Sequence, residues 1–428
     1  MTSVSASHPD VPTQFRAAVF PAPGAPLELV HVDYRKPGHG KLAVKVDAVV
    51  LSDLDAVSEL GLLRPYAKFP RTPGTAFCGT IVETGSGARE GGSAGGLSGG
   101  PISSLVRRIS RLGLGRGGSA DDKDKADSGE GDVEDYHKWK VGERVIVSAT
   151  HQGCAEYATA HADSACPIPH DMPLFESIVT ATFGAKILVA QQQHDHHCHH
   201  LAEDDARLLV ERNEREGFTG GKGAVAVYGQ GGYASLAYHS LRHDIKDRVL
   251  LVSTSESHSH EDYNAPKEDF VRANLGSGLL DTFRPHGGIK HLVWVEVPRL
   301  GENGFEDLLD AMRHGGQITL LTIDRESRLL LPPAHIVARS LVIRGAPDLH
   351  SSDMLHALKM CHRFDLHRHV SVAEFPFSEQ GVRLAWNRVK DAKDCWDAQI
   401  VYFGDAKQPA AGAAAATGAS ATVPVSSS

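Results

Sequence analysis

The sequence is poor in cysteine and lacks long apolar runs. Its six cysteines form no C-x-x-C pair, so neither a zinc ribbon nor a disulfide framework is indicated, and a reducing compartment is the simpler interpretation. No apolar run approaches the roughly 20 residues that a membrane-spanning helix needs. The N-terminal residues MTSVSASHPDVPTQ lack the apolar and basic regions of a signal peptide. We therefore expect a cytoplasmic protein with no membrane partner.

The chain also lacks an excess of basic residues. It contains 44 Lys and Arg against 53 Asp and Glu, a formal net charge of −9. Such a charge repels phosphates unless a local patch overrides it, which argues against nucleic acid as the main partner. The length of 428 residues and the hydrophobic fraction of 41% indicate a globular protein of two domains.

Four segments depart from a globular pattern. We expect residues 1–14 and 405–428 to be disordered termini, the latter rich in Ala, Ser and Thr. Residues 86–135, rich in Gly, Ser and Asp, are predicted to form a disordered insertion because they contain too few apolar side chains to offset the entropy of ordering. A second predicted insertion, 194–221, opens with the run HDHHCHH. We expect at most adventitious metal binding there, since consecutive side chains cannot all face one ion.

The remaining chain divides into two patterns. Short strands with turn signals between them predict a mostly β domain in the first part; they are Phe15–Phe20, Lys41–Leu51, Thr80–Glu83 and Arg144–Val147. Later strands alternate with helices, which predicts a parallel sheet with right-handed crossovers. These strands are Ala224–Tyr228, Val249–Val252, His291–Val295 and Gln317–Thr322, and the helices are Ser235–Arg242, Glu268–Leu275 and Phe305–His314.

A glycine-rich turn follows the apolar strand AVAVY and precedes an apolar helix. Its residues, Gly229-Gln230-Gly231-Gly232-Tyr233-Ala234, fit the G-x-G-x-x-A pattern of dinucleotide-binding turns. Gly229 permits the tight turn, Gly231 lets the backbone approach a pyrophosphate, and Ala234 is small where helix meets strand. The helix N-terminus offers N–H groups to phosphate. The motif alone also fits a plain glycine-rich turn, but the strand–turn–helix context favours a cofactor site.

The end of the second strand predicts which cofactor is used. An NAD-selective site usually carries Asp or Glu there to hold the ribose 2′-OH. Here Ser253, Thr254 and Ser255 follow VLLV, and hydroxyls can bind a 2′-phosphate without repelling it. Lys267 is predicted to supply positive charge, although the nearby Glu256 opposes it. We therefore expect NADPH, with the alternative that the seryl run is merely a loop.

Several stretches together resemble the medium-chain dehydrogenase/reductase superfamily, in particular quinone oxidoreductases and fungal trans-acting enoyl reductases. They occur in family order and include RTPGTAFCGTIVETG, KVGERVIV, GCAEYATAHADSACPIP, VAVYGQGGYASLA and FPFSEQGVRLAWNRV. The resemblance implies an α/β fold in which a GroES-like β domain (15–187, with the insertion 86–135) precedes a Rossmann domain (188–346, with the insertion 194–221). Residues 347–404 then return to the GroES-like domain. A homodimer is compatible with the resemblance.

The resemblance also indicates the zinc-independent branch. The positions that hold catalytic zinc in other members correspond to Val50, Thr75 and about Thr182, which form no competent ligand set. Ala76 stands where an acidic residue usually follows, and Val50 stands where the zinc-free branch often has Asn. Asp53 matches a recurrent family Asp with a structural or a chemical role. No metal site is expected.

The predicted activity is hydride transfer from NADPH to a conjugated carbonyl compound, quinone or enoyl substrate. Tyr66 lies where related reductases place an aromatic residue at the substrate cleft, and its phenol could protonate the product enolate; a plain core or rim tyrosine is the alternative. Two other functions stay open. One is a catalytically degenerate binding or scaffold protein on this fold, and the other is an alcohol dehydrogenase-like enzyme.

Overall fold

The computed structural model describes residues 11–61, 68–88, 139–148, 152–169, 172–199, 203–218, 222–253, 258–272, 279–295, 308–321, 333–346, 349–390 and 397–404. Within these ranges the strands are β1 (Gln14–Val19), β2 (Glu28–Asp33), β3 (Lys41–Leu51), β4 (Ala76–Thr84), β5 (Arg144–Ser148), β6 (Tyr157–His161), β7 (Ala165–Pro167), β8 (Ala224–Tyr228), β9 (Val249–Ser253), β10 (Phe270–Arg272), β11 (Ile289–Trp294), β12 (Met312–Leu320), β13 (Val342–Gly345), β14 (Val372–Pro376) and β15 (Ala398–Tyr402).

The helices of the same ranges follow the strands in sequence. They are α1 (Asp53–Glu59), α2 (Leu174–Val179), α3 (Ala185–His199), α4 (Glu203–Arg215), α5 (Gly231–Asp244), α6 (Leu279–Phe283), α7 (Pro333–Arg339), α8 (Ser351–Phe364) and α9 (Glu379–Lys390). A π-helical turn, Thr180–Gly184, joins α2 to α3. The stretch Leu174–His196 is long and apolar enough to cross a membrane, but 78% of its most apolar window is buried inside the protein, as in a core helix.

The first domain is built on a mostly antiparallel sheet. Its strand order is β14-β15-β3-β4-β5-β7, with β6 paired to β3 beside a separate β1-β2 hairpin. The end of the chain returns to this sheet, because β15 pairs antiparallel with β3 and places Ile400 opposite Val50. One sheet face packs against α9 around Trp386, and the other faces α2 and α8. The resemblance implies such a return for residues 347–404, and the pairing of β15 with β3 lies within that segment.

The second domain is a six-stranded sheet in the order β10-β9-β8-β11-β12-β13, and the neighbouring strands pair in parallel. Alternate side chains of the strands reach two different cores. Val225, Val227 and Leu251 pack against α3 and α5, whereas Ala226 and Leu250 pack on the opposite face with α6. Helices therefore cover both faces, and the predicted combination of a GroES-like β domain with a Rossmann domain is confirmed.

Two predicted helices are partly wrong. Residues 270–272, inside the predicted helix Glu268–Leu275, form strand β10, because Phe270 and Val271 continue the sheet beside Leu251 and Val252. The predicted helix Phe305–His314 is helical over 308–311, and β12 then begins at Met312. In both cases sheet pairing outweighs local helix propensity.

The segment predicted as a histidine-rich insertion begins inside regular structure. Helix α3 runs through His199, and α4 follows within the same segment. His194 is 1% exposed, and its ring stacks on that of His291 with centroids 4.7 Å apart. The His291 ring bonds Gln191 through Nδ1 and Thr319 through Nε2. The first histidine of the run is therefore a core residue. Of the other predicted insertion, residues 89–135 lie outside the described ranges.

Candidate cofactor and substrate site

The glycine turn lies where β8 ends and α5 begins. Every residue of β8 is buried, and α5 starts at Gly231. Gly231 has φ 80°, a left-handed conformation that a side chain disfavours. Gln230 precedes the helix without a side-chain capping bond, so its side chain does not compete with an anion for the first N–H groups of α5. The structure thus brings Gly229, Gly231, Gly232, Tyr233 and Ala234 together at one helix N-terminus.

An aromatic contact joins this turn to the helix that leads into the second domain. The rings of Tyr233 and Phe183 lie with centroids 4.5 Å apart and planes inclined by 51°. Phe183 belongs to the π-helical turn Thr180–Gly184. Turns of this kind widen a helix locally and occur often at functional sites.

Ser253 ends β9 but does not face solvent. Its side chain is 0% exposed, and its Oγ lies 3.2 Å from the hydroxyl of Tyr263, which is also buried. The predicted direct role of Ser253 toward a 2′-phosphate therefore requires Tyr263 to move. Thr254 and Ser255, predicted with it, lie outside the described residues.

Lys267 lies at the opposite end of the sheet from the glycine turn. It precedes β10 in the 3-10 turn Lys267–Asp269, and Arg248, which precedes β9, donates to the carbonyl oxygen of Glu268 at 2.7 Å. Strands β9 and β10 run parallel from that edge. The structure does not bring Lys267 to the predicted site. Lys267 lies where β10 begins, whereas the site is predicted at the edge where β9 and β10 end. Arg272, at the end of β10, is a basic residue at the edge where β9 ends.

Two of the positions compared with the zinc site of other members, Val50 and Ala76, lie in an apolar wall. Val50 of β3 pairs directly with Ala76 of β4, and both are 6% exposed. They belong to one apolar cluster with Ala181 of the π-helical turn. Thr182 directs its hydroxyl to the carbonyl oxygen of Ile178 at 2.7 Å. Within the described residues no three His, Cys, Asp or Glu side chains are arranged to hold a metal ion.

A buried carboxylate that sequence reasoning missed fixes the loop beside this wall. Asp55, 1% exposed, accepts hydrogen bonds from the backbone N–H groups of Gly74 at 2.8 Å and Ser52 at 3.0 Å. The Ser52 hydroxyl donates to the same carboxylate at 3.2 Å and lies 3.4 Å from the Thr75 hydroxyl. Burial raises the pKa of Asp55 to about 6, while these hydrogen bonds and Arg71 oppose the rise. Asp55 is therefore a positioning residue for the Ser52–Thr75 edge.

Two further residues named in the sequence analysis are Tyr66 and Asp53. Tyr66, the predicted proton donor, lies outside the described residues. Asp53 begins α1 and accepts a hydrogen bond from the backbone N–H of Leu54 at 2.9 Å. This hydrogen bond is a local one at a helix start.

Helix α5 is also held at its middle, against the segment that returns to the first domain. The His239 ring stacks on His369 with centroids 3.4 Å apart and planes inclined by 15°, and His239 Nε2 lies 2.9 Å from the carbonyl oxygen of Tyr263. Burial and, to a smaller extent, nearby basic groups lower the pKa of both rings, that of His369 to about 4. Those groups are Arg242 and His243 on α5 and His367 and Arg368 beside His369.

This stack predicts an acid-sensitive fold. A histidine whose pKa is lower in the folded state than the ordinary 6.5 stabilises the fold fully above pH 6.5 and loses that contribution as the pH falls toward 4. We expect Tm to fall over this window, and we expect His369→Phe, which keeps a stacking ring without a titrating nitrogen, to reduce the fall. Scanning calorimetry from pH 7.5 to 4.5 measures it. The exposed His31→Phe serves as control, and equal pH profiles for wild type and His369→Phe would show that the stack does not titrate.

Comparison with known proteins agrees with this architecture. Neither a protein-family model nor a curated protein sequence matches the chain. Among solved structures, it is similar to a quinone oxidoreductase from Thermus thermophilus, also solved in complex with NADPH, at 17% identity and a TM-score of 0.58, covering 90% of this chain and 99% of that one. It is also similar to the CurK enoyl reductase, at 13% identity and a TM-score of 0.57, covering 92% of this chain and 100% of that one.

A third similar structure is a short chain alcohol dehydrogenase from E. coli CFT073 in complex with NADH. It has 15% identity and a TM-score of 0.57, covering 92% of this chain and 99% of that one. At such identities the likeness establishes the fold and leaves the substrate open. The chain therefore has the same two-domain fold as these three structures, with a glycine-rich turn between β8 and α5 of its Rossmann domain.

Proposed function

We propose that the protein is an NADP(H)-dependent oxidoreductase that reduces a conjugated carbonyl compound, a quinone or an enoyl thioester without a metal ion. The observation that carries this proposal is the turn Gly229–Ala234, in which Gly231 adopts φ 80° at an uncapped helix start beside a buried parallel strand. A turn of this shape accommodates a pyrophosphate, since a side chain at Gly231 would occupy its place. The similar structures named as a quinone oxidoreductase with NADPH and an enoyl reductase support the class of reaction.

The chain's own residues suit such a reaction. The N–H groups at the start of α5 would hold the pyrophosphate, and bound NADPH supplies a hydride. Val50 and Ala76 offer an apolar wall that excludes water from a bound alkene. No Lewis acid is needed, because conjugation with the carbonyl already activates the alkene. The enolate then takes a proton from water or from Tyr66, whose role stays a prediction from the sequence.

This proposal includes the small-molecule partner and the cytoplasmic location expected from the sequence. The alcohol dehydrogenase-like alternative is supported by the similar structure with NADH. It is disfavoured by Val50 and Ala76, because alkyl groups cannot bind the metal that would polarise an unconjugated carbonyl. The other alternative is a catalytically degenerate binding protein on the same fold. Only an assay of activity distinguishes it from the proposed enzyme.

The preference for NADPH is open to direct test. Strand β9 ends in a serine rather than in Asp or Glu, so nothing acidic at that residue repels a 2′-phosphate. We expect isothermal titration calorimetry to give a Kd for NADPH at least about tenfold lower than for NADH, a difference of roughly 1.4 kcal/mol. Equal or tighter binding of NADH would refute the preference, and binding of neither would refute the proposed function.

A further inference from the structure

The carboxyl edge of the Rossmann sheet carries an arginine on the strand next to β9. In the parallel pairing of β10 with β9, Arg272 lies opposite Ser253, and Phe270 lies opposite Leu251. Side chains alternate along a strand, so Phe270 and Arg272 point to the same face of the sheet. Phe270 packs into the core that lines α5, the helix that begins with the glycine turn. Arg272 therefore lies at the cofactor edge and on the cofactor side of the sheet.

The guanidinium of Arg272 is exposed and has no acidic partner among the described residues. Its one hydrogen bond there, from Nη2 at 2.9 Å, goes to the carbonyl oxygen of His258. Several other basic side chains of the domain are paired with carboxylates. Arg242 and Arg248 lie 3.3 Å and 3.6 Å from Asp269, and Lys290 lies 2.6 Å from Asp247. Within the described part of the chain, the positive charge of Arg272 therefore has no carboxylate partner and is accessible to an anionic ligand.

The hydroxyl of Ser253, opposite Arg272, is not placed to bind a ligand at this edge. Ser253 is 0% exposed and faces the hydroxyl of Tyr263, so its oxygen does not reach the solvent edge where a ligand would lie. A phosphate at the end of β9 needs a donor that projects outward. An arginine is suited to this because its planar guanidinium can donate two parallel hydrogen bonds to phosphate oxygens.

We propose that Arg272 binds the 2′-phosphate of NADPH and sets the preference for NADPH over NADH. This inference rests on the proposed function, since it needs a dinucleotide on the glycine turn. It assigns cofactor selectivity to the third strand in sequence, β10, rather than to the hydroxyls that follow β9 or to Lys267. The carbonyl oxygen of His258 holds the side chain in place before the ligand arrives.

The test compares Arg272→Gln, Arg272→Lys and Lys267→Gln in the full-length protein. Calorimetric titrations with NADPH, NADH and 2′,5′-ADP give binding constants that do not depend on turnover. We expect Arg272→Gln to raise the Kd for NADPH and 2′,5′-ADP at least tenfold and to leave the Kd for NADH within twofold of wild type. Arg272→Lys should restore part of the affinity, because it keeps the charge without the paired donors. Lys267→Gln should change none of the three constants.

The outcomes separate the two proposals. If wild type binds neither dinucleotide, the proposed function fails and the role of Arg272 fails with it. If wild type prefers NADPH and Arg272→Gln leaves the ratio of the NADPH and NADH constants unchanged, only the role of Arg272 is refuted. The same holds if Arg272→Gln weakens both dinucleotides equally, or if Lys267→Gln produces the loss instead. Circular dichroism confirms that each variant is folded, as expected for exposed side chains.

Discussion

Replacing Gly231 by valine is expected to lower the affinity for NADPH more than about 100-fold. The turn gives its backbone N–H groups to the pyrophosphate, and hydrogen bonds to charged groups contribute roughly 1.5–3 kcal/mol each. A side chain at Gly231 would fill the space of the phosphate, so two such bonds are lost together. That loss of about 3–6 kcal/mol corresponds to at least two powers of ten in Kd. Fluorescence titration of NADPH measures it.

The same substitution carries a backbone cost that must be separated from the loss of binding. Gly231 has φ 80°, where a residue with a side chain is disfavoured by roughly 1–2 kcal/mol. We therefore expect a lower Tm but a folded variant, and Gly231→Ala gives a milder version of the same test. Gly345→Val is the matched control in the same domain, because a side chain added there meets open space. A folded Gly231→Val protein with wild-type affinity would show that the turn is not the cofactor site.

Replacing Asp55 by alanine is expected to produce the largest loss of stability. Two backbone N–H groups and the Ser52 hydroxyl donate to this carboxylate, which is almost wholly buried. The substitution leaves these donors without their acceptor, and each buried unsatisfied group costs about 1–3 kcal/mol. We expect the free energy of unfolding at pH 7.5, measured by urea denaturation, to fall by about 2 kcal/mol or more.

The pH dependence of the unfolding free energy gives a second test of the role of Asp55. The pKa of Asp55 is raised to about 6 in the folded protein, above the ordinary 3.8. The folded state therefore binds this proton more readily than the unfolded chain, so protonation stabilises the wild type as the pH falls from 6 to 4. The difference in unfolding free energy between wild type and Asp55→Ala should be larger at pH 5 than at pH 7.5. The exposed Asp163→Asn is the control, and a difference that shrinks at pH 5 would contradict the account.

The parts of the fold that follow from local sequence were predicted well. Ala224–Tyr228 and Lys41–Leu51 have the predicted bounds because apolar runs and alternation report burial directly. The strand Phe270–Arg272 was predicted as helix because it is short and follows the helix-forming residues Lys267 and Glu268. Only its pairing with β9 identifies it, and pairing over this distance is a tertiary property.

The sequence indicates the parts of the candidate site that are contiguous in the chain, but not those where distant segments meet. The glycine turn is one stretch of chain, so its pattern could be read from the residues. Asp55 accepts a hydrogen bond from the backbone N–H of Gly74, nineteen positions away, and no local sequence pattern predicts that contact. The end of β9 at Ser253 follows from the sequence, but the burial of this serine under Tyr263 depends on how a later loop folds back. Arg272 could be recognised only after the register of β10 was known.

The central claim is that this protein transfers hydride to a conjugated substrate without a metal ion. The most direct measurement follows NADPH carrying deuterium at C4, mixed with EDTA-treated and dialysed protein and with a quinone, an enone or an enoyl thioester. Absorbance at 340 nm reports consumption of NADPH, and mass spectrometry locates the label in the reduced enone or thioester. We expect consumption with at least one class, deuterium at the β-carbon for an enone or thioester, and the same rate before and after chelation. Tight binding of NADPH with no consumption by any class would contradict the account and favour the degenerate binding protein. Activity lost on chelation and restored by zinc would contradict its metal-free chemistry.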